Sequence, residues 1–350
     1  MKHLVIITQK VDQEDDILGF FVDWIREFSK QFNQVSVITL GKGTYQLPHN
    51  VSVYSLGKEE NTSSMVRLFR LYKYLFKLIP HSDGVFAHMS PIFVVLSWPV
   101  ATLYRKRIVL WYLHRSVTTR LKIANLMAYK IVTSTNKSLG FQSNKIIETG
   151  HAINTDYFKP DEQKRSNFHD PVRILHVARI SPAKKLETLI DAAKIIRDQG
   201  IACKISFIGK PVMPGDFEYL KFLQDRIQEY SLQENFDFIG FIPYSKMADY
   251  YRQFDIAVNL TNGGTDKVVL ESMATGCITI TSNPAFSQYL GVYSKDLLFE
   301  YCNAQDLAEH VKKVIDVSPE QKKQIAQSLR ESVMHYHLLS KTIANISDLF

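Results

Sequence analysis

Cysteine is scarce in this chain: there are three among 350 residues, Cys203, Cys277 and Cys302, and none stands in a paired spacing. A disulfide framework and a zinc ribbon both need paired cysteines, so the sequence excludes both. So little cysteine is typical of a protein that folds in a reducing compartment, and we expect it in the cytoplasm.

Long apolar runs are missing as well. The apolar stretch at 4–8 is too short for the core of a signal peptide or for a membrane span. The longest mostly apolar segment, 91–104, is interrupted by Ser97 and by proline. Its length predicts a buried helix, with a re-entrant membrane segment as the alternative.

Several catalytic motifs are also absent. No G-x-G-x-x-G follows the first predicted strand, and no G-x-x-x-x-G-K-[ST], H-E-x-x-H or nucleophile elbow occurs anywhere. These absences argue against a nicotinamide dehydrogenase, a P-loop NTPase, a zinc hydrolase and a serine hydrolase.

What is present is an ordinary globular composition, 45% hydrophobic and 22% charged, in a length that predicts two domains. Short β-branched runs alternate with amphipathic segments, which predicts repeated βα units around parallel sheets. The predicted strands lie at 4–8, 35–40, 51–56, 84–89, 108–113 and 130–135, and then at 173–178, 203–209, 236–241, 256–260 and 277–282. Residues 155–171 are polar and bounded by proline, which predicts a linker between two doubly wound domains.

The net charge of +7 is distributed unevenly, because residues 1–150 carry +9 and the rest carry −2. Within the basic half, residues 65–79 predict a helix with basic side chains along one flank. These are Arg67, Arg70, Lys73 and Lys77. The pattern suits a helix lying on an anionic membrane surface, and equally a helix packed on the sheet with a solvated basic flank.

The segment 176–191 places Arg179, Lys184 and Lys185 directly after a predicted strand. A guanidinium fork and a mobile ammonium at the carboxyl end of a strand suit a diphosphate. The alternative is a solvated basic turn.

The segment 259–277 runs from a strand through Gly263 and Gly264 into a helix that we expect to start near Asp266. Paired glycines allow close approach of a ligand, and the first N–H groups of a helix, here at Lys267 and Val268, attract phosphate. Glu271, one turn inside the helix, could accept hydrogen bonds from ribose hydroxyls. An ordinary strand–turn–helix corner is the alternative.

Together these segments resemble the donor domain of the retaining glycosyltransferases of the GT-B fold, family 4 (glycosyl transferases group 1). That family pairs R-x4-K with a later E-x7-E ending in E-A-M-A-x-G, and this chain has Arg179, Lys184 and ESMATG at 271–276. TGHAINTDYFKP at 149–160, FIGFIP at 238–243 and the segment 247–261 resemble further family motifs, so the resemblance covers nearly the whole chain.

The resemblance implies an α/β protein with two doubly wound Rossmann-like domains facing across a cleft. The acceptor-side domain would cover 1–160, completed by a C-terminal helix at 335–350, and the donor domain would cover 161–334. Arg179 and Lys184 would hold the donor diphosphate and Glu271 the ribose. The other residues implied at the donor are Gly264, Lys267, Val268, Gly240, Phe241 and Gly19, with Gly240 and Phe241 at the nucleobase.

The same resemblance places His114, in IVLWYLHRS, at the reacting sugar, and the alternative is a satisfied core histidine. For His88, which also ends a predicted strand, the two alternatives stay open. The chain departs from the family at Gly263, where a glutamate usually contacts the sugar. Backbone, Asp266 or Lys267 would then have to replace it. The loop 11–21 also departs, since it keeps only Gly19 where the family commonly has two glycines.

The implied function is metal-independent transfer, with retention, of a hexose-type sugar from a nucleotide-diphosphate sugar to a hydroxyl of a glycan or lipid-linked acceptor. The nucleotide sugar is a co-substrate, and no further cofactor and no nucleic acid is implied. We expect peripheral binding to an anionic membrane on its cytoplasmic face. The alternatives are a catalytically silent GT-B partner subunit, which the departures favour, and a sugar-nucleotide epimerase, against which the Arg–Lys segment argues.

Overall fold

The computed structural model describes residues 2–135, 139–161 and 168–350, so residues 162–167 of the predicted linker lie outside the described residues. The chain divides into two compact units. Unit 1 comprises Met1–Asn154, Pro243–Ser245 and His337–Phe350, and unit 2 comprises Thr155–Ile242 and Lys246–Tyr336.

Unit 1 is built on a seven-stranded parallel sheet in the order β3-β2-β1-β4-β5-β6-β7. Its elements are β1 (His3–Val11), α1 (Phe21–Gln31), β2 (Gln34–Lys42), β3 (Val51–Ser55), α2 (Ser64–Leu78), β4 (Gly84–His88), α3 (Pro91–Leu103), β5 (Arg107–Trp111), α4 (Thr119–Met127), β6 (Lys130–Thr133) and β7 (Ile146–Glu148). The C-terminal residues add a helix at Leu339–Ser347.

Two layers of helices cover this sheet. The first six residues of β1 are all buried, which is typical of a parallel strand covered on both faces. Helices α2, α3 and α4 pack into one core cluster, and α1 packs into the other together with the C-terminal helix. On α1 the apolar residues recur with helical spacing, so Phe21, Ile25 and Phe28 point into the core.

Unit 2 is built on a five-stranded parallel sheet in the order β10-β9-β8-β11-β12. Its elements are β8 (Val172–Val177), α5 (Glu187–Asp198), β9 (Cys203–Ile208), α6 (Pro214–Glu229), β10 (Phe236–Gly240), α7 (Tyr244–Arg252, whose start belongs to unit 1), β11 (Ile256–Asn259), α8 (Lys267–Ala274), β12 (Ile278–Thr281), α9 (Ser287–Leu290), α10 (Ser294–Leu297), α11 (Ala304–Asp316) and α12 (Pro319–His337). Helix α13 is the one at Leu339–Ser347. The segment 335–350, expected as one helix, is therefore divided at Leu338 between the end of α12 and α13.

The predicted fold class of doubly wound α/β domains is confirmed. Strand order reverses between β1 and β4 in unit 1 and between β8 and β11 in unit 2. Ligands of such sheets bind outside the carboxyl ends of the strands at this switch point. In unit 2 the two loops at the switch point are those that carry Arg179 and Gly263. Within the described residues, no helix combines the length and the apolarity needed to cross a bilayer.

Candidate active site

Arg179 follows β8 at a point where two backbones pass very close to each other. Gly209, just after β9, has a φ of +141°, and a Cβ there would lie 1.9 Å from the carbonyl oxygen of Ala178. Only glycine fits this close approach. The backbone that carries Arg179 is therefore fixed against the end of β9.

The Arg179 guanidinium is oriented by a buried carboxylate. Its Nε lies 3.7 Å from Oδ2 of Asp216, at the start of α6. Asp216 accepts hydrogen bonds from the N–H groups of Met213 (2.9 Å) and Val212 (3.1 Å), and the bond from Met213 contributes most to holding the pKa of Asp216 below its ordinary value. The carboxylate thus stays ionised and holds one side of Arg179, while about half of the arginine side chain remains exposed to a ligand.

Two adjacent lysines follow, and they have different partners. A short 3₁₀ turn at Pro182–Lys184 ends at Lys185, which has a left-handed backbone with φ +54°. Lys184 Nζ lies 4.0 Å from Oδ2 of Asp266, whereas Lys185 Nζ lies 3.8 Å from Oε1 of Glu187 on the following helix. Lys184 therefore reaches from the first segment to the second, whereas Lys185 stays within the first.

The loop between β11 and α8 is held by side chains that directly follow β12. Asn283 Nδ2 donates to the carbonyl of Gly264 at 2.9 Å, and Ser282 Oγ donates to that of Thr261 at 3.3 Å. Asp266 stands at the N-cap of α8, but its side chain does not cap that helix. The carboxylate turns instead to Asn259 and Thr261, so no cap from Asp266 covers the N–H groups of Lys267 and Val268.

Glu271 is buried inside α8, only 5% exposed. Its Oε1 lies 3.8 Å from Lys267 Nζ, and its Oε2 accepts a hydrogen bond of 3.4 Å from the hydroxyl of Tyr251. Burial raises the pKa of Glu271 to about 7, against the opposing effect of Lys267. Because its carboxylate has lost water, it has a strong tendency to accept hydrogen bonds from ligand hydroxyls.

Gly240 and Phe241 lie beside the Arg179 segment at the carboxyl end of β10. The N–H of Gly209 donates to the carbonyl of Gly240 at 2.8 Å, and Lys210 Nζ lies 4.8 Å from the centroid of the Phe241 ring. The N–H of Ile180 donates to the carbonyl of Lys210 at 3.3 Å. The predicted nucleobase and diphosphate residues thus occupy neighbouring loops at one edge of the sheet.

The residues predicted in unit 1 lie at the corresponding edge of its own sheet. His114 is exposed in the loop after β5, where it lines a cavity of about 340 Å³ with Tyr112 and Arg120, so it is not a core histidine. Its Nδ1 accepts a hydrogen bond of 2.9 Å from the N–H of Ser116. His88, by contrast, is buried and stacks on Phe21 with the ring centroids 3.7 Å apart.

Gly19 lies in the turn before α1, in a loop that is acidic. A Cβ at Gly19 would lie 2.9 Å from the carbonyl oxygens of Asp15 and Gln13, so the turn needs glycine. Its N–H donates to the carbonyl of Asp15 at 3.3 Å, and Lys10 bridges the carboxylates of Asp12 (3.1 Å) and Asp15 (2.8 Å). The phosphate contact predicted for this loop would have to form beside those acids.

The residues that hold the predicted ones in place were not predicted from the sequence. Asp216 orients Arg179, Tyr251 contacts Glu271, and Asn259 with Thr261 holds Asp266. Only Asp216 has a local signal, because it follows Pro214 and Gly215 at a helix start. The others come together through the order of strands in the sheet.

Comparison with known proteins adds the family. Residues 158–331 match the family described as glycosyl transferases group 1. An amylovoran biosynthesis glycosyltransferase, AmsK, of Erwinia amylovora is 28% identical over 169 residues, which is 46% of this chain and 38% of that protein. The alpha-monoglucosyldiacylglycerol synthase of Streptococcus pneumoniae is 27% identical over 179 residues, covering 50% of this chain and 35% of that protein. The alignments thus span little more than a third of each relative's length.

Solved structures match over the full chain at low identity. HepE of Anabaena, in complex with UDP and glucose, aligns with a TM-score of 0.74 and 15% identity, covering 99% of this chain and 98% of that one. A sucrose-phosphate synthase from Thermosynechococcus elongatus aligns with a TM-score of 0.78 and 15% identity, covering 100% of this chain and 98% of that one. At such identities the likeness establishes the shared fold.

Proposed function

We propose that this chain, which belongs through residues 158–331 to the glycosyl transferases group 1, moves a hexose-type sugar from a nucleotide-diphosphate sugar to an acceptor hydroxyl with retention of configuration. The observation that carries the proposal is the meeting of two loops at the switch point of unit 2. Lys184 reaches within 4.0 Å of Asp266 there, close to the start of α8, and Arg179 stands on the same loop as Lys184.

The donor would bind along this edge of the sheet. Gly240 and Phe241 would line the nucleobase through their backbone, and Glu271 would accept hydrogen bonds from the ribose. Arg179, Lys184 and the first N–H groups of α8, near Gly264, Lys267 and Val268, would surround the diphosphate. Side-chain cations and helix N–H groups are the groups that suit phosphate oxygens.

The reaction requires the bond between the sugar and the diphosphate to break while the acceptor oxygen bonds to the same face of the sugar. Negative charge grows on the leaving phosphate as that bond breaks. Arg179 and Lys184 would stabilise it from fixed positions, and electrostatic stabilisation of this kind is usually the largest catalytic term. With two side-chain cations at the leaving group, no divalent metal is needed in this proposal.

His114 would lie at the reacting sugar, as the resemblance implies. Supporting this role, His114 is exposed and faces a cavity that also contains Arg120 and Ser116. A glycan and a lipid-linked glycan both offer the hydroxyl that the reaction needs. The curated relatives are named an amylovoran biosynthesis glycosyltransferase and an alpha-monoglucosyldiacylglycerol synthase, so glycan and lipid acceptors both belong in a screen.

The membrane partner is proposed from the helical layer α2–α4. On α2, Met65 is 76% exposed and Phe69 is 74% exposed, and Leu126 on α4 is 78% exposed. Met65 and Phe69 share α2 with the predicted basic flank, in which Arg70 pairs with Glu60 at 3.1 Å while Lys73 and Lys77 are exposed. Apolar side chains beside lysines and arginines favour an anionic lipid interface.

Thermal denaturation with a panel of nucleoside diphosphates and their sugars tests the donor proposal. A nucleotide present at about 100 times its dissociation constant stabilises the folded state by about 2.7 kcal/mol. We expect one base to stabilise the protein above the others, and Arg179→Ala to remove most of that shift. Lys204→Ala, at an exposed position on β9, serves as the matched control. Absence of any shift across the panel would contradict the proposal.

A further inference from the structure

Asp266 is an N-cap residue whose carboxylate does not cap its own helix. Its Oδ2 accepts hydrogen bonds from Asn259 Nδ2, at 3.1 Å, and from Thr261 Oγ1. Lys184 Nζ lies 4.0 Å from the same oxygen. Asn259 at the end of β11, Thr261 just after it and Lys184 on the other loop thus surround one oxygen of the carboxylate. An arrangement of this kind holds a side chain in a single position.

The second oxygen of Asp266 is uncommitted. In the described part of the chain Oδ1 has no hydrogen-bond partner, and the side chain is 30% exposed. An ionised carboxylate accepts hydrogen bonds and donates none, so Oδ1 suits a ligand hydroxyl. It does not suit a phosphate oxygen, because two negative oxygens repel each other.

Neighbouring side chains are less suited to contact a sugar. Lys267 is only 19% exposed, and its ammonium lies 3.8 Å from the buried Glu271 one turn further along α8. Gly263 has no side chain, and a Cβ added there would meet nothing within 4 Å, so space stays open on this side of the loop. Asp266 stands three residues further along the same loop.

We propose that Oδ1 of Asp266 accepts a hydrogen bond from a hydroxyl of the donor sugar, so that Asp266 distinguishes a nucleotide sugar from the bare nucleoside diphosphate. The inference rests on the proposed function, in which Lys184 holds the diphosphate. The sugar is bonded directly to that diphosphate. A carboxylate 4.0 Å from the Lys184 ammonium is therefore in reach of the next part of the same ligand.

Isothermal titration with UDP, UDP-glucose, GDP and GDP-mannose tests this. The pair to compare is the nucleoside diphosphate that the wild type binds and its sugar nucleotide. Asp266→Ala should lower the affinity for the sugar nucleotide about tenfold, the loss typical of one hydrogen bond to a charged group. The affinity for the bare diphosphate should stay or rise, because a negative charge beside it is gone. Asp225→Ala, at an exposed position on α6, should change neither of the two dissociation constants.

A second pair of variants separates direct contact from an effect through the lysine. If Asp266 contacts the sugar, Asp266→Ala should still shift the ratio of the two dissociation constants in a Lys184→Ala background. If the shift disappears there, or if both ligands weaken equally, Asp266 only positions Lys184 and the inference is wrong. Asp266→Asn keeps the size of the side chain, so it repeats the test should the alanine variant fold poorly.

The outcomes also separate this inference from the proposed function. Suppose that the wild type binds a diphosphate and that Asp266→Ala leaves the ratio of the dissociation constants of diphosphate and sugar nucleotide unchanged. That result would overturn the role of Asp266 and leave the donor proposal intact. No binding of any of the four probes by the wild type, together with no thermal stabilisation by any member of the nucleotide panel, would overturn both.

Discussion

Glu271→Gln removes a buried carboxyl group whose ionisation destabilises the folded protein as the pH rises. Burial raises its pKa from 4.5 to about 7 in the folded protein. Between these values the unfolded chain releases the proton and the folded protein keeps it, so folding stability falls as pH rises through this window and levels off above it. At 1.36 kcal/mol per pKa unit, the loss between pH 5 and pH 8 is roughly 2–3 kcal/mol. Glutamine does not ionise and escapes that loss.

Urea denaturation of both proteins at pH 5 and pH 8 measures this difference. The stability of Glu271→Gln relative to wild type should increase by roughly 2–3 kcal/mol from pH 5 to pH 8. Glu218→Gln, at an exposed position on α6, should show no such change. A relative stability of Glu271→Gln that is the same at both pH values would refute the reasoning.

The same residue links nucleotide binding to proton release. Ribose hydroxyls that donate to Glu271 favour its charged form, so the pKa of Glu271 should fall when a nucleotide binds. Near pH 7 binding should therefore release part of a proton, which calorimetry detects as a binding enthalpy that differs between phosphate and Tris buffers. Glu271→Gln should bind more weakly and lose the buffer dependence that this carboxyl causes. A wild-type enthalpy equal in both buffers would contradict the assignment to ribose.

Three further substitutions test the other parts of the account. Lys184→Ala should lower nucleotide affinity, measured by titration calorimetry, at least about tenfold, whereas Lys185→Ala should leave it unchanged. A loss of affinity in Lys185→Ala and not in Lys184→Ala would show that the assignment is wrong. His114→Ala should leave nucleotide affinity unchanged and lower turnover, and a loss of nucleotide binding would count against its role at the reacting sugar. Replacement of Met65 and Phe69 by Ser should reduce co-sedimentation with anionic vesicles at low salt, and equal sedimentation with neutral vesicles would rule out the anionic surface.

Much of the fold follows from local sequence pattern, because fully buried parallel strands form continuous apolar runs. The strand predicted at 203–209 is Cys203–Ile208, and that at 256–260 is Ile256–Asn259. The strand at Ile146–Glu148 was not predicted. It has only three residues, lies at the edge of its sheet and is half-buried, so it leaves no periodic signal.

The residues of the candidate site were likewise predictable only in part. Arg179, Lys184 and Glu271 stand in short patterns that a sequence displays. Their supporting residues do not, because contacts such as that of Asp216 with Arg179 depend on how distant segments meet at the sheet edge. The carboxylate of Asp266 is an example, since an N-cap aspartate is expected to bond to its own helix and here turns to β11.

The release of nucleoside diphosphate from nucleotide sugars, measured with glycan and lipid acceptors for the wild type and for Arg179→Ala combined with Lys184→Ala, tests the central claim most directly. We predict that the wild type turns over one nucleotide sugar and forms a product that keeps the donor's anomeric configuration. The folded double variant should be slower by at least about a hundredfold, since two charged contacts to the leaving group are lost. A wild type that binds nucleotide but never releases it from any donor would instead be a silent partner subunit, and full activity in the double variant would contradict the assigned site.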